Sequence, residues 1–282
     1  MKLEKISFTT EDKLNLFGLL YSPETQTNEI VIFIHGIHSN CHREKDDVFS
    51  EELCKNNIAY FTFDNRGANT ITKIGAKLYG SAYENPLESI YDINAAINKV
   101  KEKGYTKVHI LGHSLGSSKI LYWYTTSKRQ EINTVGFLSL VDVSGVQKAF
   151  LGSKGAELIE QLKKQNLSTL IPQEKFSIAS SILPLSVGTF LKIFVEKEFN
   201  KISYVENEID VENISNIKEP VFMRFGTINE YATRSVPVMV ADIASKISKK
   251  DIDISYIENA DHSYHGKEKQ LINEYIKFIK TM

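Results

Sequence analysis

The fold is decided by the stretch Lys107-Val108-His109-Ile110-Leu111-Gly112-His113-Ser114-Leu115-Gly116. Its first five residues are typical of a buried strand, and residues 117–124 after it are compatible with a helix. A Gly-x-Ser-x-Gly sequence between a strand and a helix places the serine on a sharp turn that exposes its hydroxyl. Gly112 and Gly116 are needed because a Cβ at either position would clash with the neighbouring helix or strand. The stretch predicts a nucleophile at Ser114; the alternative is a glycine-rich turn in any doubly wound protein.

Outward from this stretch, the chain alternates between strand and helix patterns. Strands are predicted at residues 6–9, 14–21, 30–34, 58–63, 135–141, 221–225 and 252–257. Helices are predicted around Phe49 and Leu53, from Asn85 to Lys103, over 237–248, and over the apolar positions between Leu271 and Ile279. Asn85 is the expected cap of the second helix, with Pro86 at its first position. This alternation predicts an α/β fold with a mostly parallel, doubly wound sheet and helices on both faces.

Residues 143–204 break the alternation with a long helical and mixed pattern. The segment is too long for an ordinary connection, so we expect a helical cap inserted into a core of residues 1–142 and 205–282. Its apolar side chains either lie near the mouth of the site or pack the core of the cap itself: Phe176, Ile178, Ile182, Leu183, Leu185, Val187, Phe190 and Leu191.

Composition excludes several classes of protein. The 282 residues include 34 Lys and Arg against 35 Asp and Glu, a formal net charge of −1, and 42% are hydrophobic. No basic run exceeds two residues, which argues against nucleic-acid binding. The longest uncharged stretch, residues 176–191, is shorter than the roughly 18–20 residues of a membrane span. With no signal-peptide pattern at the start and only Cys41 and Cys54, we expect a soluble, cytoplasmic protein without disulfides.

A serine nucleophile needs a base within hydrogen-bond reach. His262 follows the last predicted strand and precedes the last helix, so it belongs to the same edge of the sheet as Ser114. His265 is the second candidate for the base. Either histidine could instead be an ordinary surface-loop residue.

The third member of such a site is an acid that orients the histidine. In the chain order serine, acid, histidine, it is expected in the loop after residues 221–225, which reads Gly226-Thr227-Ile228-Asn229-Glu230-Tyr231. Glu230 is our prediction, because Asn229 does not ionise. Asp142, at the end of the preceding predicted strand, is the reserve.

An acyl-transfer site also needs hydrogen-bond donors for an oxyanion. The backbone N–H of Leu115 is one candidate, and the backbone N–H of Ile37 is the other, turned inward by a bend at Gly36. A metal cluster at His35, His38, Cys41 and His42 is the alternative for this loop, but the spacing matches no common zinc pattern. We therefore predict neither a metal nor a cofactor.

A second turn, Asp64-Asn65-Arg66-Gly67, follows the strand over 58–63. We expect Arg66 to hold this loop through hydrogen bonds and Gly67 to adopt a positive φ. No catalytic role is assigned to Arg66.

Taken together, these motifs resemble the α/β-hydrolase superfamily. His35-Gly36 resembles its oxyanion loop, Asp64-Asn65-Arg66-Gly67 its Asp-x-Arg-Gly turn, Gly112-His113-Ser114-Leu115-Gly116 its nucleophile elbow and Ala260-Asp261-His262 its histidine loop. The elbow and the histidine loop look most like those of carboxylesterases and lipase-like hydrolases. A weaker likeness to siderophore-ester hydrolases lies in Gly80-Ser81-Ala82-Tyr83-Glu84 and Glu230-Tyr231. Many relatives have Asp where this chain has Asn229.

The resemblance implies the α/β-hydrolase fold and a small-molecule ester substrate, cleaved through Ser114, His262 and Glu230 with an acyl-enzyme intermediate. A hydrophobic acyl ester or a lactone is the expected substrate class. Two other hypotheses stay open. One is a non-catalytic ligand-binding protein in which Asn229 marks a decayed triad, and the other is an acyltransferase that uses the same site.

Overall fold

The computed structural model describes residues 1–127, 130–172, 177–178, 181–182, 184–205 and 209–282. Eight strands form the central sheet, in the spatial order β1-β2-β4-β3-β7-β8-β11-β12. Their bounds are β1 Lys2–Thr9, β2 Asn15–Ser22, β3 Glu29–Ile34, β4 Ala59–Phe63, β7 Lys107–His113, β8 Thr134–Leu138, β11 Val221–Ile228 and β12 Ile252–Asp261. Two short hairpins stand apart from it, made by β5 Thr72–Ile74 with β6 Lys77–Tyr79 and by β9 Ser177–Ile178 with β10 Ser181–Ile182.

The sheet is mostly parallel, as predicted. Its first two strands pair antiparallel with their neighbours, and the pairs from β4 to β12 are all parallel. The helices that cover it are α1 Glu44–Lys55, α2 Ser89–Glu102, α3 Leu115–Thr126, α8 Val236–Lys246 and α9 Glu268–Lys280. The predicted cap at Asn85 is confirmed, since its side chain accepts from the Leu87 N–H, although the first turn, Pro86–Glu88, is a 3₁₀ helix.

Both faces of the sheet are buried, and β3 illustrates the reason. Its apolar run is continuous, and because successive side chains of a strand point to opposite faces, they enter opposite cores. Ile30 and Ile32 join the larger core with side chains from α2, α3 and α8. Val31 and Phe33 join the second core with side chains from α1 and α9. The fold class predicted from the alternation is therefore confirmed.

Two strand ends differ from the sequence prediction. The strand predicted over 135–141 ends at Leu138, because Ser139 has a φ of 47° and cannot continue an extended strand. The strand predicted over 221–225 continues to Ile228, with a change of register against β12 after Gly226. Both differences lie at the carboxyl edge of the sheet, where functional residues of doubly wound folds collect.

Residues 143–204 contain four described helical pieces beside the hairpin of β9 and β10. These are α4 Val143–Leu151, α5 Lys154–Leu162, α6 Val187–Phe190 and a π-helical turn, Leu191–Val195. One short helix, α7 Glu212–Ser215, follows before β11. That this segment forms a separate cap stays a prediction.

Four of the eight apolar side chains named for this segment can be located in the described part of the structure. Leu185, Val187, Phe190 and Leu191 are all buried in the larger core, which favours the packing alternative for these four. The other apolar residues of the prediction, Phe176, Ile178, Ile182 and Leu183, have side chains outside the described part of the structure.

The turn after β4 is held by a buried arginine, as expected. Arg66 donates to Asp92, Asp12 and Glu88. The prediction for Gly67 is wrong, because this residue is not among those with positive φ. It must be glycine for another reason: a Cβ there would lie 2.1 Å from Oε2 of Glu84.

In the described residues, no helix combines the length and the apolarity that crossing a bilayer requires.

Candidate active site

The chain reverses sharply at Ser114, between β7 and α3. Its φ of 56° and ψ of −125° are strained for a residue with a side chain. Both flanking glycines are required, as predicted. A Cβ on Gly112 would lie 2.7 Å from Cδ1 of Ile120, and a Cβ on Gly116 would lie 2.1 Å from the carbonyl oxygen of Ile34. The strained turn places the Ser114 hydroxyl at the start of α3, at the carboxyl edge of the sheet.

The imidazole of His262 lies against this hydroxyl. His262 directly follows β12, and its Nε2 is 2.9 Å from Oγ of Ser114. The second candidate, His265, is not near the serine hydroxyl: its exposed ring contacts Asp261 instead, with Nδ1 and Oδ2 2.7 Å apart. Of the two predicted bases, the structure therefore brings only His262 to Ser114.

Glu230 completes a line of three side chains. Its Oε2 is 2.7 Å from Nδ1 of His262. Its other oxygen accepts hydrogen bonds from the N–H of Gly226, at 3.0 Å, and from the hydroxyl of Ser139. Burial raises the pKa of the Glu230 carboxyl, but the contacts with His262, Ser139 and Gly226 outweigh it and hold the pKa below its usual value. The carboxylate therefore stays ionised and can fix His262 as the Nδ1–H tautomer.

The other two acid positions point elsewhere. Asn229 has a φ of 55°, and this left-handed turn directs the next residue, Glu230, towards His262. Asp142 caps α4 by accepting from the N–H of Gly145, and it also accepts from the N–H groups of Tyr204 and Val205. The Asp142 carboxylate thus accepts hydrogen bonds from backbone N–H groups and does not contact His262.

Ser139 and Tyr264 are two of the residues at this site that the sequence analysis did not identify, because no local pattern marks them. Ser139 was predicted inside a strand, yet its positive φ turns its hydroxyl onto Glu230. Tyr264 is fully buried; its hydroxyl donates to the carbonyl of Arg224 at 2.8 Å and lies 2.9 Å from Oγ of Ser139. The Ser139 hydroxyl thus contacts the Glu230 carboxylate directly, and the Tyr264 hydroxyl holds Ser139 in place.

His113, the residue before the serine, supports the histidine from behind. Its Nε2 lies 2.7 Å from the backbone carbonyl oxygen of His262, and its Nδ1 lies 3.3 Å from Nζ of Lys45. Burial, and then the positive charge of Lys45, hold the pKa of His113 well below its ordinary value. The neutral ring therefore donates from Nε2 and accepts at Nδ1. Burial also lowers the pKa of Lys45, to about 8.

The predicted oxyanion donors flank Ser114. Leu115 is the first residue of α3, where a backbone N–H has no acceptor within its own helix. Ile37 lines both of the cavities that meet at Ser114. Gly36 beside it packs closely, since a Cβ there would lie 3.0 Å from Cβ of Ser114. The arrangement agrees with an oxyanion site made by the N–H groups of Ile37 and Leu115, and their role stays a prediction.

The loop that carries Ile37 is fixed by its neighbours. His35 is buried; its Nδ1 lies 2.9 Å from the carbonyl oxygen of Gly36, and its Nε2 accepts from the N–H of Asn65. Burial lowers the pKa of His35 to about 3, so this ring is neutral. The N–H of His38 donates to Oγ of Ser81 at 2.7 Å. Within the described ranges, no group of three or more His, Cys, Asp or Glu side chains is arranged to hold a metal ion.

Comparison with known proteins identifies the family of this chain. The sequence pattern of the family described as serine aminopeptidase, S33 matches residues 25–183, more than half of the chain. No curated protein matches the sequence.

Solved structures match over nearly the whole length. A soluble variant of monoglyceride lipase from Saccharomyces cerevisiae has a TM-score of 0.71 at 16% identity, with 100% of this chain and 96% of that one covered. The siderophore hydrolase EstB from Aspergillus fumigatus has a TM-score of 0.69 at 14% identity, covering 99% and 98%. Est1E from Butyrivibrio proteoclasticus with ferulic acid bound has a TM-score of 0.68 at 16% identity, covering 97% and 98%. At such identities the likeness establishes the fold, and together with the family match it leads to one conclusion: the chain belongs to the serine aminopeptidase S33 family and is a serine hydrolase with the α/β-hydrolase fold.

Proposed function

We propose that this protein hydrolyses a carboxylic ester through Ser114, His262 and Glu230. The observation that carries the proposal is the continuous line of contacts from Glu230 Oε2 to His262 Nδ1, at 2.7 Å, and from His262 Nε2 to Ser114 Oγ, at 2.9 Å. Nucleophile, base and orienting acid are thus within hydrogen-bond reach of one another, which is the geometry that activates a serine hydroxyl.

In the first half of the reaction, Nε2 of His262 takes the hydroxyl proton while Oγ of Ser114 attacks the ester carbonyl. The negative charge that develops on the carbonyl oxygen is accepted by the N–H groups of Ile37 and Leu115. The C–O bond to the alcohol then breaks, and His262 returns its proton to the departing oxygen. Glu230 remains ionised throughout and stabilises the imidazolium.

In the second half, water replaces the alcohol beside His262. The same ring takes a proton from the water, whose oxygen attacks the acyl carbon. The bond to Ser114 Oγ breaks, the serine regains its proton from His262, and the carboxylic acid leaves. Both halves use the same donors, because the charge develops on the same carbonyl oxygen.

An ester is proposed rather than an amide because several proteins of similar structure carry that activity in their names. They include esterases, a monoglyceride lipase and a siderophore hydrolase. The family name points to peptide substrates, and the test below therefore includes them. The two other hypotheses, binding without turnover and acyl transfer to an alcohol or amine, use the same geometry and are separated by product analysis.

The test combines a covalent probe with turnover. A fluorophosphonate probe should label the wild type, and labelling should vanish in Ser114→Ala and drop sharply in His262→Ala. Short-chain 4-nitrophenyl esters should release nitrophenol, whereas aminoacyl 4-nitroanilides should react far more slowly. Saturable ester binding with neither labelling nor release would favour a binding protein, and acyl products formed with an added alcohol in place of free acid would favour a transferase.

A further inference from the structure

Ser114 lies where two cavities of very different size and chemistry meet. We call the larger one the polar cleft: it has a volume of about 610 Å³ and is lined by residues that include Arg43, Lys45, His262, Ser263, His265 and Glu268. We call the smaller one the apolar pocket: it has a volume of about 40 Å³ and is lined by residues that include Leu115, Val141, Val143, Val146 and Phe194. The ring of Tyr231 stands in both linings.

The chemistry of the reaction assigns one half of the ester to each cavity. The departing alcohol takes its proton from Nε2 of His262, so it must leave on the side of that ring. His262 lines the polar cleft and is not part of the apolar pocket. The acyl chain is then left to the apolar pocket, on the side of Leu115, whose N–H is a proposed oxyanion donor.

The size of the apolar pocket limits the acyl chain. Its volume of about 40 Å³, against about 610 Å³ for the polar cleft, leaves room there only for the smaller half of the ester. Val146 and Phe194, which line this pocket, are 1% and 6% exposed. Side chains packed this closely do not yield without cost, because protein interiors are already at crystal-like density.

The lining of the polar cleft indicates the alcohol. The ammonium group of Lys45 contacts His113, and among the described residues it has no carboxylate within 4 Å. Glu44, Asp47 and Glu268 line the same cleft as acceptors. A hydroxyl group donates one hydrogen bond and accepts others, so it suits a lining of mixed cations and carboxylates better than an anion or a hydrocarbon does.

We propose that this enzyme removes a short acyl group from a bulky, hydroxyl-rich alcohol. The inference rests on the proposed ester hydrolysis and adds the substrate class to it. It narrows the hydrophobic acyl ester expected from the sequence to short chains, and it places the larger part of the substrate on the alcohol side. Phe194 and Val146 set the chain length, and Lys45 selects the alcohol.

The first arm of the test measures kcat/KM for 4-nitrophenyl acetate, butyrate, hexanoate and octanoate. Wild type should favour acetate or butyrate over octanoate by at least about 10-fold in kcat/KM, because each methylene group that does not fit the apolar pocket weakens binding of the transition state. Phe194→Ala should move the preference to hexanoate or octanoate. Ile193→Ala, which truncates a buried apolar side chain of the same turn outside the apolar pocket, should keep the wild-type ratio.

The second arm compares two acetyl esters: 6-O-acetylglucose, which keeps its other hydroxyl groups free, and hexyl acetate. The acetylated sugar should have the higher kcat/KM, by about 10-fold or more. Lys45→Met should bring the ratio of the two towards one, while Lys45→Arg should preserve it. The ratio separates alcohol recognition from the effect of Lys45 on His113, since that effect lowers both rates together.

The outcomes of the two arms test the substrate class separately from the proposed ester hydrolysis. A wild-type profile that rises towards octanoate, or hexyl acetate cleaved as well as the acetylated sugar, would overturn the substrate class and leave the ester hydrolase in place. Absence of turnover for all these esters, together with no fluorophosphonate labelling of Ser114, would reject the proposed function itself.

Discussion

The side chain of His113 is joined to the backbone of His262 by a hydrogen bond of 2.7 Å between Nε2 and the carbonyl oxygen. The residue before the serine thus holds the main chain of the residue that is proposed to deprotonate it. Since His113 and Ser114 are adjacent, any shift of the elbow moves the histidine loop with it. Two contacts therefore join His262 to the elbow, one on its ring and one on its carbonyl oxygen.

Replacing His113 should reduce turnover without preventing folding. In His113→Phe the ring volume remains, but the donor to the His262 carbonyl is lost. We expect kcat to fall by about 10- to 100-fold with little change in KM, the loss expected for a slightly displaced base. His113→Gln, whose amide keeps a donor, should recover part of this loss. Steady-state kinetics with 4-nitrophenyl acetate measure both variants, and equal kcat values for the two would contradict a positioning role.

Replacing Glu230 should lower kcat far more than replacing either of the other two candidates for the acid position. Glu230→Gln preserves the shape but cannot stabilise the imidazolium, and it no longer selects the Nδ1–H tautomer of His262. Loss of the orienting acid in comparable triads costs about 10⁴-fold in kcat. Asn229→Ala and Asp142→Asn are the matched controls and should keep kcat within a few-fold of wild type. A near-normal kcat in Glu230→Gln would assign the orienting role to another group.

A buried ion pair beneath the oxyanion loop should dominate the stability of this region. Nζ of Lys119 lies 2.6 Å from Oε2 of Glu84 and 3.1 Å from Oδ1 of Asn65. Both charged side chains are almost fully buried. Lys119→Met leaves an uncompensated carboxylate and should lower the free energy of unfolding by about 3–5 kcal/mol. The double variant Lys119→Met, Glu84→Gln should recover part of this loss, as measured by urea denaturation; simple additivity of the two changes would argue against direct coupling.

Stability should decrease below pH 6.5 because of His35. In the unfolded chain its pKa is about 6.5, whereas burial lowers it to about 3 in the folded protein. Between these values the unfolded state holds a proton that the folded state lacks, so acid favours unfolding by up to about 1.4 kcal/mol per pH unit from this residue. Above pH 6.5 both states are neutral and the full stability is present.

Urea denaturation at several pH values between 7.5 and 4.5 measures this slope. His35→Asn should flatten it, and an NMR titration of the wild-type ring should show no protonation down to pH 5. Protonation of His35 near pH 6.5 in the folded protein would refute the assignment.

Much of the molecule was accessible from local sequence patterns. The apolar runs of the strands and the period-3.6 apolar positions of the helices predicted the sheet and its covering helices. They did so because each position that is buried in the fold must carry an apolar residue. Ser114 and His262 were likewise found from their positions at strand ends, since parallel strands bring those ends to one edge. The need for the two glycines of the elbow could be predicted from the short Gly-x-Ser-x-Gly motif, because a Cβ at either position would clash with neighbouring atoms.

The tertiary structure decided the contacts that depend on exact chain direction. The carboxylate at His262 belongs to Glu230 because the backbone turns at Asn229, and Ser139 reaches it because the strand β8 stops at Leu138. His113 and Lys45 join the site for the same kind of reason. One-residue changes in direction arise from packing between segments far apart in the chain, whereas the sequence records mainly which positions are buried. The sequence therefore predicted the scaffold, Ser114, His262 and, as first choice for the acid, Glu230, but the contacts of Ser139, His113 and Lys45 were decided only by the tertiary structure.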